Sequence, residues 1–274
     1  MALISIDEKR CKRDGICAAV CPMGIIEPGD DDAVPAPSID ADELCINCGH
    51  CVAVCPNAAL SHVSMSPDKC PPVQKAWLPD TERVEHFLRT RRSIRTYKNR
   101  TVEHDVLTEL IHIARFAPSG HNAQPAQWLV IYDKGEVNTL AENVIDWMRY
   151  MLQGQEQIAK EMNMDRIVTA WEQGIDRICR GAPHIIVTYA PKEEQSAPAA
   201  CTIALTYLEL AAPSFGLGAC WAGYFNAATN LWPPMRKALK LPDGHSGFGA
   251  MMVGYPRYGY HRLPLRNEPF ITWR

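Results

Sequence analysis

Seven of the eleven cysteines lie within residues 11–55, in two copies of one spacing. The second copy is Cys45-Ile-Asn-Cys48-Gly-His-Cys51-Val-Ala-Val-Cys55-Pro56, and the first runs from Cys11 to Pro22. Each ligand position recurs 34 residues later, but Asp14 occupies a place where the repeat calls for a cysteine. The spacing C-x2-C-x2-C-x3-C-P is that of iron–sulfur ligands, whereas zinc favours paired hooks or histidines. The motif therefore predicts electron transfer.

The doubled motif resembles that of bacterial ferredoxins with two clusters, in which the fourth cysteine of each motif binds the other motif's cluster. The resemblance implies that cluster A is held by Cys11, Cys17 and Cys55, with Asp14 at the second position. Cluster B, a 4Fe-4S cluster, would be held by Cys45, Cys48, Cys51 and Cys21. Asp14 either binds a fourth iron through oxygen or leaves a 3Fe-4S cluster, because a carboxylate holds iron less tightly than a thiolate. The two clusters would lie close together.

Charge and composition favour a reducing compartment. The chain of 274 residues has a formal charge of −3, which argues against nucleic acid or an anionic membrane as a partner. Charged residues directly follow the short apolar N-terminal stretch, so no signal peptide is expected. No apolar run approaches the roughly 18 residues that a membrane span needs. Thiolate clusters and four scattered cysteines suit a reducing interior, so a cytoplasmic location is expected.

Composition divides the chain into three stretches. Residues 1–63 carry the cysteine motifs, and residues 64–80 contain four prolines and predict an extended linker. Residues 81–274 alternate between helical and strand periodicity. Helices are predicted over 102–117, most of 136–178 and 200–211, and strands over 128–132, 185–190, 218–223 and 248–255. This order predicts an α+β domain with a mixed sheet covered by helices.

Residues 89–100 contain six cations among twelve residues. The forked donors of arginine match phosphate oxygens, so the segment is either a phosphate site or a solvated basic turn.

Gly216-Leu-Gly218 is not a dinucleotide fingerprint, because Trp221 stands at the third glycine position and the segment leads from a helix into a strand. Five of the nine histidines, His50, His62, His104, His112 and His121, show no ligand spacing. Cys220 is expected to be a packed thiol.

Five segments together resemble the nitroreductase family of flavoenzymes in their order and approximate spacing. They are Arg91–Arg95, Pro118–Pro125, Gly216–Gly223, Gly254–Arg257 and Arg262–Arg266. The resemblance covers about residues 85–274. With the N-terminal motifs, the chain is similar to a fusion of a small ferredoxin-like domain with an α+β nitroreductase-type domain.

This resemblance implies FMN at the subunit interface of a homodimer. Arg91, Arg92, Ser93 and Arg95 would contact the FMN phosphate, ribityl chain and ring edge, and Arg266 with Arg262 would complete the phosphate site. Ser119, Gly120 and Asn122 would approach the flavin from the partner subunit. Ala222 and Gly223 would offer backbone N–H groups near the ring N5, and residues 267–274 would wrap the partner. No acid–base catalytic residue is predicted.

Together these features predict an iron–sulfur flavoprotein oxidoreductase. A one-electron donor such as a ferredoxin, or NAD(P)H, would supply electrons, and FMN would pass them as hydride to a nitroaromatic or other small electrophilic substrate. The same fold also serves reductive dehalogenases, enone reductases and a flavin-fragmenting enzyme of cobalamin biosynthesis. A redox sensor or electron-storage protein without a dedicated substrate is the alternative outside enzymes.

Overall fold

A computed structural model describes residues 2–29 and 33–274. The chain divides into two compact units. The first comprises residues 1–79 together with 121–123, and the second comprises residues 80–120 and 124–274. Within the described residues, no helix has the length and apolar character needed to cross a membrane.

The first unit is built from short elements around a small apolar core. They are β1 (Ile4–Ile6), α1 (Ile16–Ala19), β2 (Ile26–Glu27), β3 (Ala36–Pro37), α2 (Ala41–Leu44), α3 (His50–Val54) and β4 (Leu60–His62). β1 pairs with β4 and β2 with β3, both antiparallel. Residues 64–80 contain two 3-10 turns, Pro67–Lys69 and Lys75–Trp77.

The sequence repeat is also a repeat of backbone conformation. Left-handed φ angles occur at three pairs of positions, each separated by 34 residues: Arg13 and Asn47, Gly15 and Gly49, Gly24 and Ala58. Gly15 and Gly49 directly precede α1 and α3. A side chain at positive φ costs free energy and persists only where the surrounding structure requires it. The two loops therefore take the same shape around their cysteines.

The second unit contains eight helices and four strands within its described residues. They are α4 (Thr81–Thr90), α5 (His104–Ala114), β5 (Gln127–Ile131), α6 (Lys134–Gly154), α7 (Glu156–Glu161), α8 (Met164–Glu172), β6 (His184–Pro191), α9 (Ala197–Ala211), β7 (Gly218–Trp221), α10 (Gly223–Leu231), α11 (Pro233–Leu239) and β8 (His245–Gly254). All four predicted strands are confirmed. The short helices α4, α10 and α11 were not predicted, because each is too brief for a decisive helical period.

Helices cover both faces of a four-stranded sheet, as predicted. The strand order is β5-β6-β8-β7. Ile185 and Val187 point to a core formed with α6, α8, α10 and α11, whereas Ile186 between them points to a core formed with α5 and α9. All three strand pairs are antiparallel, so the expectation of a mixed sheet is wrong for the described residues. Hydrophobic periodicity fixes faces but not strand direction, which explains the error.

Candidate functional site

The thiols of the first unit line two cavities. The first, called here the B cavity, is lined by Cys21, Cys45, Cys48 and Cys51 within an apolar shell. The second, the A cavity, is lined by Cys11, Asp14, Cys17 and Cys55. Each cavity takes its first three groups from one motif and its closing cysteine from the other. Soft thiolates gathered in an apolar shell fit an iron–sulfur cluster.

Burial raises the pKa of one thiol in each cavity. Burial, with smaller contributions from the thiols of Cys48 and Cys21, raises the pKa of Cys51 to about 11. Burial also raises the pKa of Cys17 in the A cavity. Because the thiolate is the ligand, metal binding must release these protons.

Backbone N–H groups point at two of the sulfurs. Arg13 N donates to Cys11 Sγ at 3.4 Å, and Ala59 N donates to Cys55 Sγ at 3.3 Å. Hydrogen bonds to the sulfurs are one of the determinants of cluster reduction potential. Asp14 also accepts a backbone N–H, because its Oδ1 lies 3.3 Å from the N of Ile16 in the first turn of α1.

His62 adds a side-chain donor to the B cavity that the sequence did not indicate. The ring is 6% exposed, and its Nδ1 accepts the N–H of Ser64 at 3.1 Å. The neutral ring therefore carries its proton on Nε2, which lies 3.5 Å from Cys45 Sγ. Burial lowers the pKa of His62, which favours this neutral form. Because the two residues are 17 positions apart, no ligand spacing indicates the contact.

In the second unit, the edge of the sheet positions the basic segment. Ile94 N donates to Ala219 O in β7 at 2.9 Å, and Lys98 N donates to Tyr255 O at 2.8 Å. A Cβ at Gly218 would overlap the Ile94 side chain, so the close approach of the segment to β7 requires glycine there. The Ser93 side chain reaches Cys220, a buried thiol as predicted.

Three of the predicted FMN residues, Arg91, Arg92 and Arg266, line one cleft of about 490 Å³, called here the arginine cleft. Arg91 Nη1 lies 2.8 Å from Glu209 Oε1, and the carboxylate side chain is only 6% exposed. A carboxylate this deeply buried needs a charged partner. Glu209 thereby fixes the position of Arg91 at the wall of the cleft, and the sequence did not indicate this role.

Arg95, Ala222 and Gly223 line a second cavity of about 420 Å³, called here the Trp221 cavity. The expectation for the Ala222 amide needs correction, because its N–H donates to Ala250 O at 2.9 Å as part of the sheet. Gly223 begins α10, and N–H groups in the first turn of a helix have no intrahelical acceptor. Gly223 is therefore the better candidate for a backbone donor.

The remaining predicted residues do not line the arginine cleft or the Trp221 cavity. Ser119 lines a smaller cavity of about 130 Å³ near Trp128, and its Oγ accepts the N–H of Gln124 at 2.9 Å. Asn122, which belongs to the first compact unit, donates to Ile46 O and Asn47 O. Gly120 is also outside the arginine cleft and the Trp221 cavity, as is the exposed Arg262.

The ion pair between Arg91 and Glu209 yields a stability prediction. Arg91→Ala leaves a buried carboxylate unpaired, so the free energy of unfolding should fall by about 2–3 kcal/mol; this is less than for a fully buried pair because Arg91 is 31% exposed. Urea unfolding followed by circular dichroism measures this change. Arg83→Ala is the control, since its pair with Asp80 is exposed on both sides. Equal losses in the two variants would contradict a structural role for Glu209.

The His62 contact yields a redox prediction. His62→Phe removes the donor to Cys45 Sγ but keeps the ring volume, so the midpoint potential of cluster B should become more negative. An electron paramagnetic resonance titration measures it. Ser64→Ala is the control, because it removes the 2.7 Å contact between Ser64 Oγ and Nδ1, whereas the backbone N–H of residue 64 still donates to Nδ1 and the Nε2 donor remains. An unchanged potential in His62→Phe would show that the 3.5 Å contact carries no hydrogen bond to the ligand.

Comparison with known proteins supports both halves of this description. Residues 88–255 match the model of the nitroreductase family, and residues 9–60 match that of the 4Fe-4S dicluster domain. A protein named Ferredoxin 7Fe from Hydrogenibacillus schlegelii is 40% identical over 57 residues, covering 21% of this chain and 67% of that protein.

Solved structures show the same fold for the second unit. A nitroreductase with bound FMN from Desulfitobacterium hafniense DCB-2 aligns with a TM-score of 0.55 and 23% identity, over 71% of this chain and all of that one. Iodotyrosine deiodinase bound to FMN and 3-iodo-L-tyrosine aligns with a TM-score of 0.55 and 20% identity, over 70% and 98% of the two chains. This chain belongs to the nitroreductase family of oxidoreductases and carries an N-terminal 4Fe-4S dicluster ferredoxin domain.

Proposed function

We propose that this protein reduces a nitroaromatic or another small electrophilic substrate by hydride transfer from FMN, with electrons supplied through its own iron–sulfur clusters. The main support for this proposal is that Arg91, Arg92 and Arg266 line one cleft. Arg95, further along the same basic segment, lines the Trp221 cavity. When bound, FMN would supply the chemistry that links one-electron carriers to a two-electron substrate.

The residues of the second unit bind and orient this cofactor. Arg91, Arg92 and Arg266 hold the FMN phosphate through charge-assisted hydrogen bonds, with Glu209 fixing Arg91. Arg95, at the other end of the docked segment, lines the Trp221 cavity and would contact the flavin ring there. The N-terminus of α10 directs the Gly223 N–H and the positive end of the helix dipole into the Trp221 cavity. Such preorganised donors stabilise negative charge as it develops on the ring.

A homodimer would complete the site. The C-terminal segment leaves large apolar side chains exposed: Leu265, Phe270, Ile271 and Trp273. Exposed apolar clusters of this kind mark interaction surfaces. Ser119 and Gly120, which lie outside the arginine cleft and the Trp221 cavity, would then reach the flavin of the partner subunit.

Electrons would enter at the first unit from a one-electron donor such as a ferredoxin, with NAD(P)H as the alternative. Cluster B would be a 4Fe-4S cluster on Cys21, Cys45, Cys48 and Cys51. For cluster A, the likeness to a protein named Ferredoxin 7Fe favours a 3Fe-4S cluster on Cys11, Cys17 and Cys55. The hydrogen bond from Ile16 N to Asp14 Oδ1 agrees with a carboxylate occupied by the α1 turn.

Iron content tests the assignment of cluster A. Anaerobically purified protein should hold about seven irons per chain, and Asp14→Cys should raise this to about eight because it restores the fourth thiolate. The variant should also lose the resonance signal of an oxidised 3Fe-4S cluster. Asp14→Asn is the control and should stay at about seven irons. About eight irons in the unaltered protein would instead support iron ligation by Asp14.

Flavin reoxidation tests the function. The anaerobically reduced protein should be reoxidised by a nitroaromatic faster than by an enone or an aryl halide, followed at the flavin absorbance band. Cys48→Ser damages cluster B, so it should abolish turnover driven by reduced ferredoxin and leave chemically reduced FMN reactive. If no compound speeds reoxidation, the protein is a redox sensor or an electron store. Fast reoxidation by the halide alone would replace nitro reduction with dehalogenation.

A further inference from the structure

A second group of arginines faces the Trp221 cavity and was not part of the predicted FMN site. Arg177 and Arg180 line this cavity together with Arg95, and no carboxylate lines it. Burial raises the pKa of Cys220 at the cavity wall, and the charges of Arg95 and Arg180 oppose this rise. The cavity therefore has a positive potential.

These three guanidinium groups have no carboxylate partner within the described residues. Elsewhere in the second unit, Arg83, Arg89, Arg91, Arg100 and Arg149 each form an ion pair with Asp or Glu. Like charges that converge without a counter-ion repel one another, and the repulsion is relieved when an anion binds. Unpaired arginines around an open cavity thus indicate an anion site.

A tight loop holds Arg177 and Arg180 in place. The Asp176 carboxylate accepts three backbone N–H groups, with Oδ1 bound to Ile178 and Cys179 and Oδ2 to Gly181, all at 2.8–2.9 Å. Because the Asp176 carboxylate accepts these backbone N–H groups, it does not form an ion pair with Arg177 or Arg180. The loop therefore has a fixed backbone, and two cations that line the cavity extend from it.

The rest of the cavity wall suits a flat apolar body. Met162, Trp221 and Tyr224 line it, and the Tyr224 hydroxyl donates to Met162 O at 2.6 Å. That bond uses the phenolic proton and leaves the ring to pack against a ligand. Aromatic and methionine side chains beside paired guanidinium groups fit a planar molecule that carries a carboxylate.

Resting on the proposed function, we infer that Arg177 and Arg180 bind the carboxylate of the substrate, so that the substrate class is a small planar organic acid with a reducible group. Arg95 belongs to the basic segment and serves the flavin ring. Gly223 also lines the cavity, which places the anion site beside the proposed hydride donor.

The test compares 4-nitrobenzoate with its neutral counterpart 4-nitrobenzamide in the holoprotein. The unaltered protein should have a higher kcat/KM for the acid, and Arg177→Gln with Arg180→Gln should lower the acid-to-amide ratio about tenfold or more. FMN content should stay unchanged. Arg166→Gln, a nearby exposed arginine on α8 outside the cavity, is the matched control.

An unchanged ratio in the double variant would overturn the inference. Loss of FMN from that variant would also overturn it, because the two arginines would then serve the cofactor. Benzoate titration of the oxidised flavin spectrum separates the inference from the proposed function. If neither nitro compound is reduced, the proposed function fails; weaker benzoate binding in the double variant would still support the anion site, and equal binding would reject it.

Discussion

The docking of residues 91–95 along β7 is the constraint on which the proposed flavin site depends. The hydrogen bond from Ile94 N to Ala219 O, and the absence of a side chain at Gly218, hold the segment against the sheet edge. Along this segment, Arg91 lines the arginine cleft and Arg95 lines the Trp221 cavity. One short segment can therefore hold both ends of a long cofactor, and the rigidity of the sheet sets the distance between them.

In the first unit, the conformation of two loops positions the ligand side chains. Two short loops with the same left-handed positions, Gly15 and Gly49 among them, curve their cysteines around two centres. Each loop then sends its last cysteine to the other cavity, Cys21 to the B cavity and Cys55 to the A cavity. Because neither centre is complete without both motifs, the loops must fold together. The small apolar core supplies little stability alone, and bound clusters would supply much of the rest.

Sequence reasoning succeeds where chemistry is local and fails where contacts are distant. The resemblance to two-cluster ferredoxins grouped the cysteines into the sets that line the two cavities, and apolar runs located all four strands. Strand direction was not predicted, because side-chain alternation is the same in both directions. His62 and Glu209 were missed because their partners lie 17 and 118 residues away. The Ala222 amide was misassigned because only the paired sheet shows that Ala250 uses it.

Arg91 differs from Arg177 and Arg180 in the balance of charge around its guanidinium group. Arg91 is neutralised by a buried carboxylate, so it is preorganised for a ligand that every turnover shares. Arg177 and Arg180 have no such partner among the described side chains, and Asp176, directly before Arg177, accepts only backbone N–H groups. A cation without a counter-ion attracts an anionic substrate, which binds and is released in each turnover. In the Trp221 cavity, the two unpaired arginines would therefore select substrates mainly by their negative charge. The side chains of Trp221 and Tyr224 would then select among anions by shape.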